Sequence, residues 1–247
     1  VVSREATKLG LSAQAFDVNP AAVSISSFMV SSIEPDHFLR ASNQILDEAE
    51  SDLGHTFSHD GKVIRFLVHK VVTKCRSCGL ENTYSKEIHA TNGRKCPQCQ
   101  AKLSFGLSSL SRTDIEEVVY LDGSSSTNQE DLQLQFSISQ NSGLSNFQFS
   151  MPLVDNRRTL TSSEISTKSF FTPRNFWILS KVAEMAHREQ DPELRNALLL
   201  MVTGSSAQAS RLIASRGKLA GGGQAWTIPG FWVPPIHLES NPFVHLR

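Results

Sequence analysis

Apolar residues recur along this chain at two different spacings, which predict both helices and strands. Between Pro35 and Leu53 the apolar residues share one face of a helix and are expected to pack in the core. They are Phe38, Ala41, Ile45, Leu46, Ala49 and Leu53. Residues 62–73 are instead rich in branched and apolar residues, in the pattern of a strand. A mixed α/β chain is therefore predicted.

The first thirty residues are predicted to form a helix, a strand and a second helix. The helix over residues 1–8 ends before Gly10, because glycine is preferred just past a helix end. Residues 12–16 form a short apolar run suited to a buried parallel strand. Asp17 follows this strand, where a carboxylate can accept hydrogen bonds from both hydroxyls of a ribose. A loop or helix-capping aspartate is the simpler interpretation of Asp17 taken alone.

Two later helices are predicted from capping residues followed by proline. Thr172-Pro173 begins one helix, and Asp191-Pro192 begins another that is expected to continue past Gly204 to Arg216. Residues 123–165, in contrast, are polar and poorly periodic, which indicates a loop-rich connection with short strands such as residues 134–138.

All four cysteines lie in two Cys-x-x-Cys pairs, Cys75 with Cys78 and Cys96 with Cys99. Each pair can direct two thiolates at one ion, and the spacing is typical of structural zinc sites. Because four thiolates leave no open position for a substrate, the zinc is expected to stabilise the fold. Gly79 follows the first pair, where such a turn favours a residue that tolerates positive φ. Two disulfides or four free thiols are the alternatives.

Charge is unevenly distributed in a chain whose formal net charge is zero. Residues 62–102 contain nine Lys or Arg but only Glu81 and Glu87 as acidic residues. With four thiolates and one zinc included, the net charge of this stretch is about +5, which favours phosphate groups. An ordinary solvated surface around a small metal site would show the same charge.

Membrane and secreted classes are not indicated. The chain has no run of eighteen apolar residues and no signal-peptide pattern. Reduced, metal-binding cysteines are typical of the cytoplasm, which is the expected location. The chain begins at Val1 in what is predicted to be a helix, so we expect it to be a piece of a longer protein.

Several separated segments occur in an order that resembles one family. They are residues 1–10, residues 16–23, the two cysteine pairs, and residues 171–175, 203–206 and 239–243. Together they resemble the zinc-ribbon-containing amino-group DNA methyltransferases, S-adenosylmethionine-dependent enzymes often described as adenine-specific DNA methylases. The similarity covers most of the chain, except for the polar region around residues 123–165.

This resemblance implies a cofactor role for the start of the chain and DNA contact for its basic residues. Asp17 would bind the ribose hydroxyls of S-adenosylmethionine, and Asn19 and Pro20 would shape the turn on the adenine side. Lysine and arginine side chains would position DNA phosphates. The candidates are Lys74, Arg76, Lys86, Arg94, Lys95 and Arg174.

The family's glycine-rich loop and its Asp/Asn-Pro-Pro-aromatic motif are both missing from the chain. The second motif polarises the exocyclic amine and stacks on the flipped base. No catalytic residue is therefore assigned, and the chain is not expected to transfer methyl groups alone. The missing part is expected on the same polypeptide or on another chain.

The predicted fold is α/β, with four regions along the chain. Residues 1–60 would form part of a Rossmann-like methyltransferase sheet, and residues 61–110 an inserted β-rich zinc ribbon. Residues 111–168 would form the polar connection, and residues 169–247 a helical and aromatic segment suited to target recognition. The predicted function is the central part of a DNA amino-methyltransferase, with adenine N6 favoured over cytosine N4. The alternative is a non-catalytic zinc-ribbon module that binds nucleic acid or protein.

Overall fold

Six helices and six strands make up the described part of the chain. The computed structural model describes residues 2–14, 16–84, 94–104, 110–127, 150–156, 163, 165–215 and 233–247. The helices are α1 (Val2–Lys8), α2 (Pro20–Met29), α3 (Pro35–Leu53), α4 (Pro173–His187), α5 (Pro192–Ala209) and α6 (Pro242–Leu246). The strands are β1 (Ser58–His59), β2 (Lys62–Lys74), β3 (Glu81–Thr83), β4 (Leu110–Tyr120), β5 (Ser125–Ser126) and β6 (Ile236–Ser240). Short 3-10 helices, Gly54–Phe57 and Thr167–Phe170, precede β1 and α4.

β2 is the strand around which the antiparallel sheet is built. β4 pairs with one edge of β2 along most of its length, while β6 and β3 pair with successive parts of the other edge. β1 pairs with the start of β2, and β5 pairs with the end of β4. The Asp60-Gly61 turn joins β1 to β2 with φ values of 48° and 72°. Positive φ at both central residues is the geometry that suits a tight hairpin.

Both faces of the sheet are buried. Leu67 and Val71 on one face belong to the main hydrophobic cluster, which also contains residues of α3 and α4 such as Leu46 and Ile178. On the other face, a smaller cluster includes Phe66, Val68, Val119, Ile213 and Leu238. A strand buried on both faces is expected to be nearly continuously apolar. In β2, residues 66–68 and 71–72 are apolar and buried.

The helix starts agree closely with the sequence prediction. Thr172 caps α4, because its Oγ1 accepts a hydrogen bond from the backbone N–H of Asn175 at 3.3 Å. Asp191 caps α5 in the same way, accepting from Glu193 N–H at 2.9 Å. The predicted apolar face of α3 is also confirmed, since Leu46, Ala49 and Leu53 are buried. None of the described helices combines the length and apolar character needed to cross a membrane.

Several predicted elements differ from the structure. The chain is mixed α/β, but every strand pairing among the described residues is antiparallel, and residues 11–14 and 16 form no strand. The segment from residue 111, predicted to be a loop-rich connection, is almost entirely strand β4 as far as Tyr120. α5 ends at Ala209 instead of Arg216, because Ser210 adopts an extended backbone. The predicted strand at residues 134–138 lies outside the described residues.

A buried carboxylate joins the sheet to α4. Glu239 of β6 is 1% exposed, and His69 of β2 lies 2.7 Å from its Oε2. Thr172 Oγ1 donates to Glu239 Oε1 at 2.6 Å, and the guanidinium Nε of Arg174 lies 3.1 Å from the same oxygen. Burial alone would raise the pKa of Glu239, but Arg174 and the hydrogen bond from His69 hold it down to about 2. The carboxylate is therefore charged inside the protein.

A second histidine packs against this network. The ring of His237 stacks on that of His69, with ring centroids 5.5 Å apart, and its Nδ1 donates to the carbonyl of Pro234 at 3.1 Å. Burial, together with the charges of His69 and Arg211, lowers the pKa of His237 well below its ordinary value. His237 is therefore neutral in the folded protein near neutral pH.

The ion pair between Arg174 and Glu239 predicts a specific mutational pattern. Arg174→Met should lower the free energy of unfolding by about 3–5 kcal/mol, because Glu239 is left as an uncompensated buried charge. Adding Glu239→Gln to this variant should restore part of the loss. Urea denaturation followed by circular dichroism measures both effects. Arg188→Met, which breaks the exposed pair with Glu184, is the matched control and should cost less than about 1 kcal/mol. Equal losses of unfolding free energy in Arg174→Met and Arg188→Met would contradict a charged Glu239 in the core.

Folding stability should also decrease on mild acidification. His237 binds a proton below about pH 6.5 in the unfolded chain but stays neutral when folded, so stability is lost as pH falls below that value. Glu239 adds a second loss as pH falls from about 4.5 toward 2. The free energy of unfolding, measured by denaturation between pH 7.5 and 5, should decrease as pH falls. His237→Phe should reduce the slope of this decrease by up to about 1.4 kcal/mol per pH unit. An unchanged slope in the His237→Phe variant would contradict this origin of the pH dependence.

Candidate metal centre and basic surface

The first pair of cysteines lies in a turn at the end of β2. Cys75 follows the last residue of the strand, and its backbone N–H donates to the carbonyl of Leu80 at 2.8 Å. Gly79 N–H donates back to the carbonyl of Cys75 at 2.9 Å. Gly79 has φ of 77°, which confirms the predicted need for a residue that tolerates positive φ. These bonds fold the four residues so that both sulfurs face one point.

The second pair repeats this geometry within a short hairpin. Cys96 N–H donates to the carbonyl of Ala101 at 2.8 Å, and Gln100 N–H donates to the carbonyl of Cys96 at 2.9 Å. Gln100 takes the position that glycine has in the first turn, and its φ of 60° is in the left-handed region. A non-glycine residue there costs roughly 1–2 kcal/mol, which the rest of the turn must offset.

The four sulfurs form one compact cluster. Their Sγ atoms all lie within 4.8 Å of one another, with Cys75 and Cys99 separated by 3.5 Å and Cys78 and Cys96 by 3.6 Å. Four thiolates bound at about 2.3 Å around a tetrahedral ion would be about 3.8 Å apart. All four cysteines are free, so the two-disulfide alternative does not hold here. The cluster can therefore hold one structural metal ion such as zinc.

The electrostatics of the cluster favour a bound cation. The backbone N–H of Cys99 lowers the pKa of the Cys96 thiol to about 6, and that of Cys78 lowers the pKa of Cys75. The N–H of Leu80 acts in the same direction on Cys78, but desolvation and the three neighbouring sulfurs outweigh it and raise that pKa to about 12. The four thiols are thus too close together for all of them to ionise without a cation, because the thiolates would repel one another. A bound divalent cation would offset this repulsion.

Two of the four ligands are also part of the hydrophobic core. Cys75 and Cys96 are buried and belong to the main cluster, together with Leu103. Cys78 is exposed, and Cys99 is half-buried. Metal binding would therefore fix the end of β2 against the hairpin of the second pair, and not only order a surface loop.

Four of the predicted DNA-contacting cations lie next to or between the cysteines in the chain. Lys74, Arg76, Arg94 and Lys95 are exposed, and none of them forms an ion pair within the described residues. Lys86 lies outside the described residues. The four described cations therefore all lie on or next to the two cysteine turns.

Arg174 does not belong to this surface, which corrects the sequence prediction. Its side chain is buried, pairs with Glu239 and donates to the carbonyl of Thr56 at 2.7 Å. Its guanidinium also lies over the ring of Phe57, 4.6 Å from the centroid. A phosphate could not reach it without unfolding the network, so Arg174 stabilises the core.

The proposed cofactor residues Asp17, Asn19 and Pro20 follow a segment whose described residues form no strand. Asp17 is exposed, and its Oδ1 accepts a hydrogen bond from the backbone N–H of Asn19 at 2.8 Å. Asn19 caps α2 by accepting from Ala21 N–H at 3.0 Å, and Pro20 is the first residue of the helix. The helix cap is therefore Asn19 and not Asp17, which lies in the loop before the helix, the other simple interpretation given for it.

Histidine contributes nothing to the metal cluster among the described residues. His69 is buried beside Glu239 and is not part of the four-cysteine cluster. His89 lies outside the described residues. The network of Glu239, His69 and His237 was missed by sequence reasoning, although Glu239 and His237 do alternate with apolar residues in the manner of a strand.

Comparison of the chain with models of known protein families, with curated proteins and with solved structures finds no match.

Metal removal should destabilise the protein as a whole. Purified protein is expected to contain about one zinc ion per chain, and Cys96→Ser should abolish binding and lower the free energy of unfolding by about 5 kcal/mol. The reason is that the binding energy of a structural metal is also folding energy. Elemental analysis and thermal denaturation measure the two quantities. Ser77→Ala, at an exposed position within the first turn, is the control. Full stability of the Cys96→Ser variant would rule out a structural metal.

Proposed function

We propose that this chain is the central part of an S-adenosylmethionine-dependent DNA amino-methyltransferase and contributes its zinc-stabilised DNA-contacting element. The observation that carries the DNA-contacting part is the four-cysteine cluster, whose neighbouring cations in the chain are exposed and form no ion pair within the described residues. The methyl-transfer part rests on the resemblance of the ordered motifs, with adenine N6 favoured as the target. The zinc is structural, since four thiolates complete its coordination.

The contrast between two groups of cations supports the DNA-contacting role. Several cations of the neighbouring sheet lie beside carboxylates across the strands: Lys62 lies 3.2 Å from Asp122, and Lys70 lies 2.6 Å from Glu116. Arg112 likewise pairs with Glu81 and Asp114. The cations on the two cysteine turns have no such partner within the described residues. Unpaired cations attract phosphate at least cost, because no internal ion pair must first be broken.

An exposed apolar surface supports the expectation that a further part completes the cofactor site. Phe16 and Val18, on either side of Asp17, are 90% and 103% exposed. α2 buries none of its residues, although Val23, Ile25 and Phe28 are large and apolar. Several large apolar side chains exposed within a short stretch are typical of sites that bind another protein surface. A partner seated there would also enclose the carboxylate of Asp17.

The carboxylate of Asp17 is oriented by the loop in which it lies. Its Oδ1 is occupied by the N–H of Asn19, which fixes the carboxylate at the start of α2. In the methyltransferase, S-adenosylmethionine would supply the methyl group, and Asp17 would accept hydrogen bonds from the hydroxyls of its ribose. Asn19 and Pro20 would keep the adjoining turn in place.

A non-catalytic zinc-ribbon module is the second candidate, and one observation favours it. Asp17 follows an exposed segment whose described residues form no strand, whereas a ribose-binding carboxylate in this family type follows a strand of a parallel sheet. In that case the basic turns would bind nucleic acid or protein without a cofactor.

Cofactor binding distinguishes the two candidates. In the gene product that contains these residues, Asp17→Ala should weaken S-adenosylmethionine binding by roughly 10- to 100-fold, the loss expected for hydrogen bonds to a charged group. Isothermal titration calorimetry measures the affinity. Asp36→Ala, an exposed aspartate in the first turn of α3, should leave it unchanged. A wild-type protein that contains zinc and binds DNA but ignores S-adenosylmethionine would support the non-catalytic module.

A further inference from the structure

Two lysines face each other across the hairpin that carries Cys96 and Cys99. Lys95 and Lys102 are antiparallel bridge partners. Backbone hydrogen bonds lie on either side of the pair, from Leu103 N–H to the Arg94 carbonyl at 2.7 Å and from Cys96 N–H to the Ala101 carbonyl at 2.8 Å. This pattern defines a non-hydrogen-bonded pair, in which the Cα atoms are only about 4.5 Å apart and the side chains are closest.

Both lysines point away from the metal and the core. Side chains alternate along a strand, and the next residues, Cys96 and Leu103, are buried. Lys95 and Lys102 are exposed, and neither forms an ion pair within the described part of the chain. Like charges directly opposite each other destabilise a hairpin. The metal-stabilised turn therefore holds two ammonium groups together against their repulsion.

We infer that Lys95 and Lys102 together bind one phosphate of a duplex DNA backbone. This inference rests on the proposed DNA-contacting role and adds to it a particular pair, of which Lys102 was not among the predicted contacts. An anion between the two ammonium groups turns their repulsion into attraction to a shared partner. Arg94, which precedes Lys95 and is also exposed, extends the same positive edge.

The composition of this face favours duplex over single-stranded nucleic acid. Proteins that bind single strands combine cations with exposed aromatic side chains on which bases stack. Between Lys74 and Ser104 the sequence contains no Trp or Phe, and its single tyrosine, Tyr84, packs against the core. Duplex DNA carries one charge per about 1.7 Å of its axis, a higher charge density than that of a single strand. Two closely spaced lysines therefore meet more phosphates on a duplex.

Opposite effects on stability and on binding test the pair. Lys95→Gln and Lys102→Gln should each raise the melting temperature of the free protein by about 1–2 °C, because the repulsion is relieved. Each should also weaken binding to a fluorescein-labelled random-sequence duplex of 20 base pairs by about fivefold. The slope of log affinity against log salt should decrease by about one in each variant. Fluorescence anisotropy between 50 and 200 mM salt and thermal denaturation are the measurements, with zinc content confirming the fold.

Lys181→Gln is the matched control, because it removes an equally charged side chain that pairs with Asp52 at 3.2 Å. It should leave DNA affinity unchanged and should not raise the melting temperature. Variants of Lys95 and Lys102 that keep wild-type affinity, while Arg76→Gln weakens it, would overturn the pair but leave DNA contact at the metal centre intact. Equal or tighter binding of the single strand would overturn the duplex assignment. A wild-type protein that binds neither form would overturn the DNA-contacting role itself.

Discussion

The buried charge of Glu239 is the constraint on which the arrangement of sheet and helices depends. A carboxylate without water must be paired and hydrogen-bonded, and its three partners here come from two elements, β2 and α4, that are distant from β6 in the chain. His69 belongs to β2, Thr172 caps α4, and Arg174 lies in its first turn. Because Thr172 holds both the helix N–H and the carboxylate, the start of α4 cannot shift without exposing the charge. The ionic network thus fixes one position for the helix on the sheet, where apolar packing alone would allow sliding.

β2 connects this network to the metal centre. His69 lies in the middle of the strand, and Cys75 follows its end only six positions later. The intervening residues are paired on both edges, with β4 along one side and with β6 and then β3 along the other. A strand held on both edges and buried on both faces has little freedom to bend. The sulfur cluster is therefore built on a rigid support, and the Cys75 and Cys96 ligands share their hydrophobic cluster with the core.

The sequence predicted the elements whose causes are local and missed those whose causes are distant. Thr172-Pro173 and the two cysteine pairs carry their structural signal within a few residues, and both are found as expected. β4 was predicted to be part of a polar connection because it contains many charged residues. In the structure some of these charges are paired across the sheet, as Glu116 is with Lys70. Arg174 was taken for a surface cation because its partner is 65 positions away. The hairpin at Asp60-Gly61 had a recognisable local signal that was overlooked.

The pairing of charges bears on the phosphate-binding surface that we propose for a chain with no net charge. Several cations of the sheet and core lie beside carboxylates, as Lys62 does beside Asp122 and Arg174 beside Glu239. Pairing of this kind cancels their field at a distance, whereas Lys74, Arg76, Arg94 and Lys95 form no ion pair within the described residues. A metal bound to the four cysteines would hold the two turns together and, with them, Lys95 and Lys102, which repel each other. Under the proposed function, stability of the turns and attraction for phosphate would be opposed at this site, and the metal would reconcile them.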